Sequence, residues 1–496
     1  MQPTLAATPS DTGFFGHPRG LATLFFVEMW ERFSYYGMRA LLILFMTASV
    51  THGGLGFPVV KAGAIYGFYT AMVYLLGLPG GWLADRICGQ RRAVFYGGLL
   101  IVAGQACLMS PGLRGFYAGL GLLMLGTGML KPNASTMVGQ LYPPGDRRRD
   151  SAFSLYYMGI NLGALLSPLA VGWVGERIGW RLGFGLAGLG MVVGLIQYTL
   201  GGKYLGSAGL HPVAPKTPEA GRRLKRNTAA VAVAISLILG TVGLLSATGR
   251  LDISAQQVSA SLGLVLIVVS AGIFLWLLLG PGWSAAERKR SAAILVLFLA
   301  SAVFWAAYEQ GGSSLSLFAE RSTNRVVFGF DFPASWFQFV PALFVMILAP
   351  AFAWLWIALG KREPSSPAKF TWALLFGGIA FAILVPPARA AMRGALVSPW
   401  WLTGTYFVQT VGEMCLSPVG LSAMTKLAPA RIAGMMMGLF FVSMSIGDYL
   451  AGTAASLYES MPLPELFGVV ACISLGAAVV LAMLIKPTVR LMGGVN

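Results

Sequence analysis

The chain has 496 residues, of which 56% are hydrophobic and 11% charged, with a formal net charge of +17. Soluble domains carry about 25% charged residues, so a water-solvated globular surface is excluded. Apolar runs of roughly 20 residues, each enough to cross a hydrocarbon core of about 30 Å, recur along the whole length.

These runs predict an all-α polytopic membrane protein with spans near 21–48, 61–84, 93–110, 113–138, 152–173, 180–200, 228–246, 258–280, 291–316, 335–358, 369–387, 399–425, 431–458 and 464–486. With the N-terminus inside, and residues in the first or last two positions of a span counted with the adjoining segment, 23 of the 35 Lys and Arg fall on inner segments and 9 on outer ones. That is the positive-inside bias, which orients the chain with both termini cytoplasmic and argues against a nucleic-acid partner. Residues 1–20 hold no apolar segment of the kind that is cleaved after secretion. Cys88, Cys107, Cys415 and Cys472 have no paired spacing and read as packing residues, not as a disulfide or metal framework.

Span 1 carries Glu28, Glu31, Arg32, Tyr35, Tyr36 and Arg39. At about 100° per residue all six fall within an arc of about 140° and cover roughly 16 Å of helix axis. That is a polar stripe facing a water-filled cavity, with Phe, Leu and Met on the other face. After span 2, Gly81, Asp85, Arg86 and Gly89 lead into the basic pair Arg91 and Arg92 at an inner helix end. Span 4 places Lys131 before Pro132 and Asn133, and span 5 carries Tyr156, Tyr157, Asn161 and Gly163.

A Pro- and Lys/Arg-rich break at 203–227 follows six spans; two apolar spans come next, then a second basic break at 284–290 and six more spans. The organisation read from this is a six-helix bundle over 1–202, a linker with two additional helices over 203–290, and a second six-helix bundle over 291–496. In the last six spans, Glu309 follows Trp305 and Tyr308, and Glu413 precedes Ser417-Pro418. A charge at the bilayer centre costs about 2.5–3.5 kcal/mol, so each of these needs a cavity or a partner. The bases Arg39 and Lys131 lie in the first half and the lone acids Glu309 and Glu413 in the second, so pairs across a cleft are expected to form and break. Four acids against three bases leave one carboxylate to be neutralised by a proton. Asp448 is a further acid at depth: it either faces the cavity or packs between helices, and its offset from Ser443 along the helix favours packing.

Two six-helix halves around a central break match the major facilitator architecture, with substrate held between the halves. The chain is identified as a member of the proton-coupled oligopeptide transporter family of that superfamily. The resemblance rests on Glu28-x-x-Glu31-Arg32-Phe33, Leu130-Lys131-Pro132-Asn133, the Phe153–Leu165 segment, Trp305 to Glu309, and Gly412-Glu413 to Pro418. The two additional helices resemble those of bacterial members, which implies a bacterial inner membrane.

The resemblance implies symport of di- and tripeptides with protons by alternating access, no enzymatic activity, no cofactor besides the coupling proton, and function as a monomer. It assigns proton coupling to Glu28, Glu31, Arg32, Lys131 and Glu309, and ion pairs across the halves to Arg39 with Glu309 and Lys131 with Glu413. It assigns the peptide carboxylate to Arg39 and Lys131 and the α-amine to Glu413. Tyr35, Tyr36, Tyr69, Asn161, Trp305, Glu309 and Ser443 are implied to line the pocket. The chain departs from the pattern at Gln338-Phe339-Val340-Pro341, at Phe440 and at Asp448. His17, His52 and His211 lie outside the spans, so coupling rests on carboxylates. A same-family transporter of nitrate or another small anion would need a base where Glu413 stands, and a drug exporter would not need opposite charges in the two halves. An embedded enzyme lacks a histidine at depth, and a channel has little use for ion pairs between halves.

Overall fold

A computed structural model of the chain describes residues 11–143, 145–212, 214, 217–248, 254–428 and 432–493. Residues 1–10, the start of the expected span at 431 and the gaps between these stretches lie outside the described residues.

The first bundle contains α1 (Arg19–Thr47), α2 (Val59–Leu75), α3 (Gly77–Leu83), α4 (Gln90–Met109), α5 (Leu113–Gln140), α6 (Arg148–Ser167), α7 (Trp173–Arg177) and α8 (Trp180–Gly201). Two additional helices follow, α9 (Pro218–Ala247) and α10 (Ala255–Leu279). The second bundle contains α11 (Ala285–Tyr308), α12 (Ser314–Arg321), α13 (Phe339–Leu359), α14 (Ser366–Met392), α15 (Pro399–Leu427), α16 (Ala433–Ser456) and α17 (Leu463–Met492). Among the described residues, 11 helical stretches are long and apolar enough to cross a membrane. Helices α1, α9 and α15, of 29, 30 and 29 residues, are equally long. In α1 the four charges of the polar stripe dilute the hydropathy that marks the other spans.

Two expected boundaries move. Helix α9 starts at Pro218, so Arg222, Arg223, Lys225 and Arg226 form its first turns and are not loop. Thr217 caps this start through Ala220 N–H, and Ala, Leu, Lys and Arg are strong helix formers. Helix α11 starts at Ala285, closed by a capping box between Ser284 and Glu287, so the second basic break is also helical.

Within the first bundle α1 packs against α6 and α8, and α4 against α5 and α8; within the second, α14 packs against α15 and α17, and α11 against α16. The bundles meet along two seams, α2 with α16 and α6 with α13. The first seam is closed by missing side chains. A Cβ on Gly452 would stand 2.3 Å from Gly67 Cα, and one on Gly63 would stand 2.6 Å from Ser456 N. Backbone contact of this kind replaces the hydrophobic effect as the force joining helices in lipid.

The second seam ends in a latch on the face away from the termini, called the distal face below. Glu176 accepts from the N–H groups of Ala334 and Ser335 at 2.9 and 2.7 Å, which open the 3-10 turn Ala334–Gln338 leading into α13. This carboxylate caps a helix N-terminus that belongs to the other bundle. Beside it Arg177 pairs with Asp331 at 2.8 Å, Trp173 stacks on Phe330 at 5.8 Å, and the Trp336 Nε1–H donates to the Leu169 carbonyl. Asp331 is placed by a two-residue hairpin, in which Val326–Val327 (β1) pairs with Phe330–Asp331 (β2). Its turn residues Phe328 and Gly329 have φ of 51° and 79°; glycine adopts this freely and phenylalanine does not. Arg177 holds the Asp331 carboxyl below the usual carboxylate range through their hydrogen bond.

Candidate functional site

Helix α1 brings its charges to the interface between the bundles, and α6 permits this by lacking a side chain at one point. A Cβ on Gly163 would lie 2.3 Å from the Met29 carbonyl and 3.0 Å from Arg32 Cβ. Glu28, Glu31 and Arg32 are fully buried. Arg32 donates to both Glu31 oxygens, at 2.5 and 2.7 Å, and lies 3.6 Å from Glu28. Tyr156 of α6 donates to the second Glu28 oxygen at 2.6 Å. Two carboxylates therefore share one guanidinium and one phenol, a set with one charge more than its cation neutralises. The Arg32 guanidinium also lies over the Tyr35 ring at 4.7 Å.

A second cluster joins the bundles. Arg39 of α1 forms an ion pair with Glu309, which follows α11, and donates through Nε to the Tyr66 hydroxyl of α2 at 2.7 Å. Gly312 makes room for this arrangement, since a Cβ there would stand 1.9 Å from the Tyr66 oxygen. Tyr36 sits between the clusters, half-buried, its ring 5.9 Å from the Arg39 guanidinium and 5.7 Å from that of Arg32.

The expected Lys131–Glu413 ion pair is not formed in this conformation. Lys131 is half-buried, and its ammonium lies over the Tyr74 ring at 4.5 Å. Glu413 accepts from the Tyr308 hydroxyl at 2.5 Å. Neither has an ionic partner among the described residues, so one base and one acid on opposite bundles are left unpaired. Proline shapes both places. Pro132 removes the helical bond to the Gly128 carbonyl, where Gly80 packs close, and Pro418, inside α15, removes the helical bond to the Met414 carbonyl next to Glu413.

The remaining expected lining residues divide. The Tyr69 hydroxyl and the Trp305 Nε1–H are buried with no hydrogen-bond partner among the described residues, which leaves two donors open. Asn161 donates to the Tyr157 carbonyl on its own helix at 2.9 Å. Ser443 is fully buried between α16 and α11, where its hydroxyl meets Ser301 at 2.8 Å and donates to the Phe440 carbonyl. Asp448 is fully buried in the α2–α16 seam, beside Gly67 and Thr70 of α2. Gln338, at the departure from the family pattern, donates to the Gly311 carbonyl and to the Ser316 hydroxyl.

Sequence reasoning passed over Tyr66, Tyr74, Tyr308 and the distal latch. Tyr66 had a signal, since it stands one turn from Tyr69 on the same face. Tyr308 had only its place beside Glu309. The latch had none, because exposed charges on loops far apart in sequence carry no periodicity.

Two helical bundles meeting over buried charges of opposite sign define a multi-pass membrane transporter. The chain belongs to the POT family, whose family model matches residues 91–470. It is 42% identical over 485 residues to the uncharacterized transporter YclF of Bacillus subtilis, covering 97% of this chain and 96% of that one. It is 40% identical to the peptide transporter YePEPT of Yersinia enterocolitica (99% and 98% covered) and 37% identical to a di-/tripeptide transporter of Lactococcus lactis (97% and 98% covered). Among solved structures it matches a peptide transporter POT in complex with sulfate, with TM-score 0.91 and 44% identity over 97% of each chain. It also matches a mutant peptide transporter POT in complex with alafosfalin, with TM-score 0.89 and 43% identity over 97% of each chain.

Proposed function

We propose that this chain imports di- and tripeptides together with protons by alternating access, from the distal face to the face that carries the termini. The observation that carries the reading is the unpaired base and acid, Lys131 on one bundle and Glu413 on the other, with Tyr69 and Trp305 offering open donors. A free peptide is a zwitterion with a polar backbone and variable side chains. Its carboxylate pairs with Lys131 or Arg39, its amine with Glu413, and the aromatic residues accept its side chains. The peptide transporters among the relatives support this substrate class. A nitrate-type anion would leave Glu413 facing a like charge, and a neutral drug would leave both ends unpaired.

Proton coupling rests on carboxylates that outnumber cations at depth. Protonation of Glu309 releases Arg39 and weakens the joint between the bundles, while Glu28, Glu31 and Arg32 hold a second exchangeable charge beside Lys131. The positive-inside bias supports cytoplasmic termini in a bacterial inner membrane. The chain acts without catalysis or cofactor, as a monomer. Uptake of labelled dialanine into cells expressing the protein tests the reading: accumulation that collapses with a protonophore is expected, and accumulation indifferent to the proton gradient would refute coupling.

A further inference from the structure

The α2–α16 seam is built from small residues. On α16, Ser445, Asp448, Gly452 and Ser456 recur at helical spacing and form one stripe against α2. Ser445 donates to the Ala71 carbonyl, Gly452 lies against Gly67, and Ser456 donates to the Val60 carbonyl. In this stripe of hydroxyls and hydrogens stands one carboxylic acid. Asp448 is 1% exposed, and neither carboxylate oxygen has a hydrogen-bond partner. The Thr70 hydroxyl stands close enough to bear on this carboxyl, but its single proton is directed to the Tyr66 carbonyl at 3.0 Å and the Gly67 carbonyl at 3.4 Å.

The charged groups around it do not supply the missing partner. From α1, Arg39 bears on Asp448 electrostatically, but its hydrogen bonds go to Glu309 and Tyr66. Tyr35 of α1 and Tyr66 and Tyr74 of α2 also face it, as do Lys131 of α5 and Glu309 beyond α11. On α15, which also packs on α16, Glu413 is held by Tyr308. Helix α10 packs on both α2 and α16 and carries no acidic or basic residue. One guanidinium thus stands near two carboxylates and is committed to Glu309. An ionised, unbonded carboxylate in a dry seam is untenable, whereas a protonated one is a small polar group that the seam accommodates.

We propose that Asp448 is a proton-binding site of the transport cycle, carrying its proton whenever the α2–α16 seam is closed. The inference deepens the transport reading and rests on it. When the seam opens to the distal face, the carboxylate meets water, and one oxygen takes a proton from hydronium, forming an O–H bond and leaving water. The neutral acid then lets the seam close. Loss of that proton to water reached from the terminal face restores the charge and drives the seam apart again. Asp448 acts in this way without touching the peptide.

The test has two arms, both on the full-length protein. In the first, infrared spectra of wild-type protein made with isotope-labelled aspartate are recorded in bilayers at neutral pH. A protonated-carboxyl band that shifts with the label is expected, and Asp448 is the only buried aspartate among the described residues. The absence of such a band overturns the proposal without any variant having to fold. In the second, Asp448→Asn is reconstituted with labelled dialanine. Counterflow is expected to persist, with the pH profile of gradient-driven uptake shifted and one proton fewer moved per peptide. A profile and stoichiometry that superimpose on wild type also overturn it. Wild-type protein that shows no dialanine counterflow would instead refute the peptide reading itself, so the two failures are distinct.

Discussion

Arg39 of the first bundle and Glu309 of the second are ion-paired across the interface, and Tyr66 holds the same guanidinium from the side. Removing one partner of a buried ion pair costs about 3–5 kcal/mol, which is comparable with the few kcal/mol that separate two working conformations. On the proposed reading, making and breaking this pair is of the size needed to move the protein between states. Glu309→Gln mimics the protonated acid and is expected to abolish gradient-driven uptake of dialanine while leaving counterflow measurable. Wild-type values in both assays would remove Glu309 from the coupling scheme.

The unpaired base and acid predict two ligand-specific losses. Glu413→Gln is expected to weaken binding of free dialanine roughly 10- to 100-fold, but to change binding of its N-acetylated form little. Lys131→Gln is expected to discriminate in the same way against the free acid relative to the C-terminal amide. Competition assays with the four ligands check both. Equal loss for free and blocked peptides would mean that these residues act on conformation and not on the ligand termini.

Glu176 caps the opposing bundle with two charge-assisted hydrogen bonds, together worth about 2–4 kcal/mol. Glu176→Ala is expected to loosen the distal face. Spin labels on the 110–112 and 393–398 loops should report a longer and broader distance distribution, with uptake reduced. An unchanged distribution would make the latch dispensable.

The Arg177–Asp331 bridge behaves differently with pH from the buried acids. Arg177 depresses the Asp331 pKa, so its contribution is present above the unfolded value of about 4 and is lost only as the pH falls through the lower folded value. The latch therefore stays charged across the range in which the transporter works. Asp331→Asn is expected to lower the rate of uptake without moving its pH profile between about pH 5 and 8. A shifted profile would make the bridge itself a proton sensor.

The helices were legible in the sequence because lipid imposes a length and a composition on each span, and the expected and observed segments agree within about five residues except at the starts of α9 and α11 and the end of α17. At those two starts the positive charges read as loop, although capping residues and helix formers carry the helix beyond the membrane. Glu28, Glu31, Arg32, Arg39 and Glu309 were legible because a charge at depth has few innocent explanations. For Ser443 the sequence leaves two roles open, because a small hydroxyl packs helices, as it does here against Ser301, as readily as it meets a ligand. The Lys131–Glu413 pair is not formed in this structure, and no sequence pattern specifies the distance between side chains on two helices. Tyr66 and Tyr308 become visible only once the helices are assembled, since each acts on a charge contributed by another segment.

Helix α10 packs against α2, α16 and α11, and a Cβ on Gly263 would stand 2.3 Å from the Tyr449 ring that fills its place. It therefore lies over the seam where the two bundles meet, on the side that would otherwise face acyl chains. A lipid tail cannot wedge into that joint when it parts, and neither can a detergent. On this side of the α2–α16 joint the surface offered to the membrane is that of α10, so lipid reaches the joint only across a protein helix.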